Sequence, residues 1–213
     1  MSSEPLTAVD VLILPSDTMV DLATSWNARL LESDPQGFAL DDSHTPHITL
    51  LQRYVQTEHL SEVYDAVDST LAAVSFDDLT LTAVKLAHME ADAQPGIGLA
   101  GVLVQAGPAV LDLQGALIEA IEPFTGSGGT AAAYVTSEAE PDINDDTLRY
   151  VESYVPDHSG AHYLAHVTVG QATLADLQAL EATPFEPVAF QPAGFAIYHL
   201  GNNGTARVQL HTT

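Results

Sequence analysis

The chain contains no cysteine. Disulfides, thiolate zinc sites and cysteine nucleophiles are excluded together. It has little positive charge: five Lys and Arg stand against 29 Asp and Glu, for a formal net charge of −24. A surface of that sign repels nucleic-acid phosphates at low salt, so no duplex partner is expected. Any phosphorylated substrate must be met locally, as a small group rather than a long polyanion. No apolar run approaches the roughly 18 residues of a membrane span. The N-terminal stretch MSSEPLTAVD lacks the basic start and apolar stretch of a secretory signal. A cytoplasmic monomer without a membrane partner is the expectation. The acidic, lysine-poor composition resembles that of proteins adapted to high salt, with plain solubility as the other reading.

What is present is enough for a core. The 213 residues, 46% of them hydrophobic, suit one compact domain or two small lobes, and disorder is not expected. AVDVLIL (8–14) reads as a buried strand ended by Pro15. A helix follows from Ser16, with Met19, Leu22, Ala23, Trp26 and Leu30 at helical spacing. HITLLQRYV (47–55) reads as a strand, and Thr57 as the cap of a helix striped by Leu60, Val63, Val67 and Leu71. LTLTAVKL (79–86) reads as a third strand.

The order then repeats. IGLAGVLVQ (97–105) is a strand, Pro108 opens a helix, AHVTVGQ (165–171) is a strand, and Thr173 caps a short helix. Two closing strands, 194–200 and 205–211, flank Asn203-Gly204, a hairpin signal. The pattern implies halves of about 1–90 and 96–213 within a single unit. An insertion of about 122–164 interrupts the second half, read as a mobile cover near the site or as a disordered surface loop. TLRYVESYV (147–155) inside it has the pattern of a helical turn or two.

PHITL (46–50) and AHVTV (165–169) occupy the same ordinal place in each half. Either motif alone reads more readily as a structural histidine in a strand. Paired at equivalent places, they favour a functional reading. In a strand, residues i and i+2 share a face, so His47 joins Thr49 and His166 joins Thr168. Two imidazoles can divide acid and base roles near neutrality, and two hydroxyls can donate to phosphate oxygens. By the same alternation Arg53 joins the His47 face, although a surface ion pair is the favoured role for it. Tyr198, His199 and Tyr163 are candidates to stack on a base, with ordinary packing favoured. A metal is the weaker reading: His44/His47 and His162/His166 mimic ligand spacings, but the motifs begin β runs and no acidic residue joins at fixed spacing. GSGG (126–129) has no following lysine and serine and is no phosphate loop.

PHITLLQRYV and AHVTVGQA together resemble the paired H-x-[ST]-hydrophobic signatures of the two-histidine (2H) phosphoesterases. That superfamily includes 2′-5′ RNA ligase-like proteins and cyclic nucleotide phosphodiesterases. The resemblance implies an α+β, bilobal, pseudo-twofold fold of antiparallel-rich sheets facing a groove. It also implies His47 and His166 as a catalytic acid–base pair, with Thr49 and Thr168 binding phosphate and no cofactor. The separation of 119 positions between the histidines (166 − 47) is long for the family, and the insertion accounts for it. The expected activity is metal-independent hydrolysis of a 2′,3′-cyclic phosphate or related 2′-5′ linkage on a small nucleotide or RNA end. 2′-5′ ligation, or a non-catalytic nucleotide-binding module, are the alternatives.

Overall fold

The apolar run after Pro5 forms β1 (Leu6–Pro15), a strand buried along nearly its whole length. Burial on both faces is why its sequence reads as continuous rather than alternating. The structure, a computed structural model, describes residues 4–41, 44–90, 95–138 and 140–213. Parts of three sequence expectations therefore lie outside the described residues: the leader reading (1–3), the junction of the halves (91–94) and one position of the insertion (139).

The element order is β1, α1 (Asp17–Ser33), β2 (Ile48–Gln56), α2 (Leu60–Leu71), β3 (Leu81–Glu90), β4 (Ile97–Ala106), α3 (Pro108–Ile121), α4 (Asp145–His158), β5 (His166–Thr173), α5 (Leu174–Glu181), β6 (Val188–Phe190), β7 (Pro192–Leu200) and β8 (Ala206–Thr212). This is the expected α+β class. All pairings are antiparallel and build two four-stranded sheets, ordered β2-β1-β7-β8 and β5-β4-β3-β6. Each sheet takes strands from both halves of the chain: β3 joins the second sheet, and the β7–β8 hairpin joins the first. β6, three residues long, had no sequence signal. Both motif strands, β2 and β5, lie at the edge of their sheets.

The main core is shared. Val9, Val11 and Ile13 of β1 meet the buried stripes of α1 (Met19, Ala23, Trp26, Leu30) and α2 (Val63, Val67, Leu71). Val102 and Val104 of β4, Val167 and Val169 of β5, and Leu113 and Leu117 of α3 belong to the same cluster. Burying each such side chain contributes on the order of 1.5–3 kcal/mol. Thr57 does not cap α2. It opens a 3₁₀ turn (Thr57–His59), and its hydroxyl pairs with that of Thr7 at 2.9 Å. Thr173 does cap α5, accepting from the Asp176 N–H. The Asn203-Gly204 turn takes consecutive positive φ values, 56° and 70°, as an Asn-Gly hairpin requires.

The insertion is no disordered loop. Its helix α4 runs 14 residues and is capped by Asn144, which accepts from the Thr147 N–H at 2.7 Å. Tyr134, Ile143 and Val151 form a second cluster with Ala8, Tyr54 and Leu200 of the first sheet. The Tyr54 and Tyr134 hydroxyls meet at 2.6 Å. Asn144 also binds the hairpin turn, donating from its backbone to Asn202 (3.0 Å) and from Nδ2 to Asn203 (2.8 Å). The segment expected to give a turn or two is thus a full helix packed on β2.

Candidate functional site

The register of the first sheet decides what faces the groove. Leu12 pairs with Thr49 and Val11 with Leu51, so Leu50 is an extra, bulged residue. Past the bulge, Asp10 pairs with Gln52 and Ala8 with Tyr54. Partners across a ladder share a face, so Gln52, not Arg53, joins Thr49. Simple alternation therefore misplaces Arg53. It pairs with Val9 on the opposite face and holds Glu122 at 2.6 Å. The same device recurs in the second sheet. Gly101 pairs with Thr168 and Ala100 with Gly170, leaving Val169 extra. Gly170 has φ 145°, and a Cβ there would meet Leu30 Cδ1 at 2.9 Å, so glycine suits this bulge.

Both histidines are held alike. His47 Nδ1 lies 2.7 Å from the Thr45 carbonyl, and His166 Nδ1 lies 2.9 Å from the Leu164 carbonyl. A carbonyl only accepts, so each Nδ1 carries its proton and each Nε2 is left for other partners. The two motif segments are also tied to one another, because the Tyr163 hydroxyl donates to the Thr49 carbonyl at 2.8 Å. The rings are near enough that charge on His47 helps push the His166 pKa down, with burial the larger cause and the Leu164 bond opposing.

Beneath this likeness lies an asymmetry. Asp10 has no exposed surface, and its Oδ2 accepts from Thr49 Oγ1 (2.8 Å) and Gln52 Nε2 (3.0 Å). The same oxygen lies 4.0 Å from His47 Nε2. Burial raises the Asp10 pKa, while the His47 charge and the bonds from Gln52 and Thr49 oppose it. Asp10 Oδ1 and Gln52 Oε1 are buried without a partner among the described residues. The position equivalent to Asp10 on the other side, opposite Gln171, is Leu99. One imidazole therefore stands over a carboxylate and the other over a leucine's strand. Asp10 and Gln52 escape a reading of the sequence alone. The signals for them are a charge inside AVDVLIL, and glutamines three residues past both threonines, Gln52 and Gln171.

The remaining candidates disperse. Tyr163 is committed to Thr49, and its pKa is raised by burial and by Asp10. Tyr198 pairs with Asp10 across the sheet, and its hydroxyl donates to Gln209 at 3.0 Å. His199 Nε2 meets the Ala133 carbonyl at 2.9 Å. His44 stacks on Phe38 and pairs with Asp41 at 3.8 Å. His162 lies in a 3₁₀ turn (Gly160–His162). No group of three or more metal-ligating side chains occurs among the described residues. Arg29 covers Trp26, Arg149 pairs with Asp146, and Arg207 with Glu140. Exposed Lys85 pairs with Leu103, which pairs with His166, so this cation shares the His166 face two strands away. From the insertion, Tyr150 stacks on His158 (4.4 Å between centroids), and its pKa is pushed up to about 12 by burial and by the Asp10 charge.

No protein-family profile matches the chain, and no curated protein matches it. Solved structures do. E. coli LigT complexed with ATP is 14% identical, over 99% of this chain and 98% of that one, with a TM-score of 0.47. LigT complexed with 3′-AMP matches with the same identity and coverage and a TM-score of 0.48. A crystal structure described as a phosphoesterase is 13% identical over the same shares, with a TM-score of 0.43. The likeness runs the length of both chains. No described helix is long and apolar enough to cross a membrane.

Proposed function

We propose that the chain is a metal-independent phosphoesterase that opens a 2′,3′-cyclic phosphate, or a related 2′-5′ phosphodiester, on a nucleotide or RNA end. The observation that carries this reading is the matched pair of histidines. Both are locked by Nδ1–H to a carbonyl two residues back, both precede a threonine by two residues, and both stand at the start of a bulged edge strand, His166 as its first residue and His47 just before it. Binding alone needs no such pair, whereas acid–base catalysis does. The resemblance of both motif strands to the 2H signatures points the same way.

In this reading the asymmetry supports a division of roles between the two histidines. His166, biased toward its neutral form by burial, takes a proton from water through Nε2 as the water attacks phosphorus. His47, over the Asp10 carboxylate, gives its Nε2 proton to the ribose oxygen as the P–O bond breaks. Thr168, whose hydroxyl has no partner among the described residues, donates to a non-bridging oxygen. Thr49 reaches the other by turning its hydroxyl from Asp10. Few cations flank the groove, which suits one small phosphodiester rather than a long RNA.

The test is a screen of 2′,3′-cyclic nucleotides and 2′-5′-linked dinucleotides with EDTA present, for the wild type, His47→Ala and His166→Ala. Each substitution should lower turnover by about 10²- to 10⁴-fold with the fold retained. The double variant should be far less than multiplicatively worse. Intact turnover in either single variant, or activity that disappears in EDTA and returns with zinc, defeats the reading.

A further inference from the structure

Two buried amides are used by neither motif. Asn27 on α1 is 5% exposed and Gln114 on α3 is 0% exposed, each within an otherwise apolar stripe. Gln114 Nε2 donates to the carbonyl of Leu50, the bulged residue of the first motif strand, at 2.9 Å. Asn27 Nδ2 donates to the carbonyl of Val169, the bulged residue of the second, also at 2.9 Å. A bulge leaves its extra residue out of the ladder, and an edge strand has no neighbour on one side. The amides supply what the sheets do not.

The connection is crossed. α1 lies in the first half of the chain and holds the second motif, while α3 lies in the second half and holds the first. The oxygens of the same side chains close the circuit. Asn27 Oδ1 accepts from the Leu40 N–H (3.2 Å), seven residues before His47 (47 − 40). Gln114 Oε1 accepts from the Gly160 N–H (2.9 Å), six residues before His166 (166 − 160). Each amide thus joins the bulge of one motif to the approach segment of the other. Random burial of two polar residues would not produce that correspondence.

We infer that Asn27 and Gln114 are positioning residues, a crossed pair of latches that fixes the separation and orientation of the two His–Thr faces. The kinetic consequence rests on the phosphoesterase reading, but the latch itself can be tested without turnover. Asn27→Asp and Gln114→Glu keep the accepting oxygen and lose the donor; Asn27→Gln and Gln114→Asn keep the chemistry and change the reach.

On a 2′,3′-cyclic nucleotide, kcat of the carboxylate variants should fall about ten- to a hundredfold, because a misplacement of about 1 Å can cost that much. KM should move by less than about threefold, since what is lost is alignment in the transition state. Histidine ring NMR signals should show the crossing: Gln114→Glu displaces those of His47 more than those of His166, and Asn27→Asp does the reverse. If a carboxylate variant fails to fold, the amide variants carry the same two readouts. Turnover that is unchanged, or that follows melting temperature and returns on cooling, overturns the inference. So does displacement of the same-half histidine. A wild type without phosphoesterase activity sinks the functional reading alone, and the ring signals still decide the latches.

Discussion

Asp10→Asn separates what the buried carboxylate does for the fold from what it does for the groove. The substitution is isosteric, and the amide oxygen still accepts from Thr49 and Gln52; the charge is removed, and an NH2 takes the place of the oxygen that has no partner among the described residues. At 4.0 Å from His47 Nε2, a unit charge pair is worth about 4 kcal/mol at an effective dielectric of about 20. The His47 side chain is 22% exposed, and water in the groove screens part of this. About 1.4 to 2 kcal/mol remaining would make turnover roughly ten- to thirtyfold slower. Stability should not fall with it. Burying a carboxylate costs several kcal/mol, here with one oxygen unpartnered, against about 1.5–3 kcal/mol for each hydrogen bond to the charge. Melting temperature should therefore stay within about 5 °C of the wild type, relief of the buried charge offsetting an unpartnered amide N–H at about 1–3 kcal/mol. Asp10→Ala is the contrast, because it strands the buried Gln52 amide at about 1–3 kcal/mol and leaves a cavity where the carboxylate stood. At about 2–4 °C per kcal/mol for a chain of this size, that variant should melt well below the wild type. The assay is cyclic-phosphate turnover beside thermal melts of the three proteins. An Asn variant with full turnover and a melting temperature lowered by more than about 5 °C would refute the reasoning.

Three further outcomes are expected. The His166 pKa is lowered on folding, so the unfolded chain binds the proton more readily and stability is lost as pH falls below about 6.5; chemical denaturation across pH should show a loss there that is reduced in His166→Gln. Arg53→Ala should leave turnover within about twofold and cost under about 1 kcal/mol, because the side chain pairs with exposed Glu122 away from Thr49; a hundredfold loss would show that the face has been misassigned. With a net charge of −24, melting temperature should climb between about 10 mM and about 1 M salt as the Debye length shrinks from roughly 30 to 3 Å, and a flat or falling series would exclude self-repulsion as a weakness of the fold.

The strands, helices and motif pair are legible because they rest on periodicity, which the chain displays plainly at Ile48, Val63 and Val167. The groove face is less so. A bulge shifts every later side chain by one position, and nothing in HITLLQRYV announces that Leu50 is the extra residue. In AHVTVGQ the glycine at 170 is such a notice, because glycine inside a strand pattern marks a bulge. Asp10, Asn27 and Gln114 are visible as polar breaks in apolar runs. Their partners on the motif strands lie 39 to 142 residues away, and no local pattern reports those. The helix of the insertion exceeds its sequence signal because its acidic start and Pro156 obscure the stripe of Thr147, Val151 and Tyr154.

The exchange of strands between halves also orders events in time. β1 is flanked by β2, which follows it by about one helix, and by β7, where Val9 meets His199 some 190 residues later (199 − 9). During synthesis β1 can pair with β2 early, but its other edge stays open until residues 192–200 have left the ribosome. Asp10 lies on that open edge and remains hydrated until Tyr198 arrives across from it. Complete burial of the Asp10 carboxylate therefore waits until the closing hairpin docks. Pairing over such a separation is slow to form, and an unpaired β1 edge in the interim is where this chain is most exposed to association with another nascent copy.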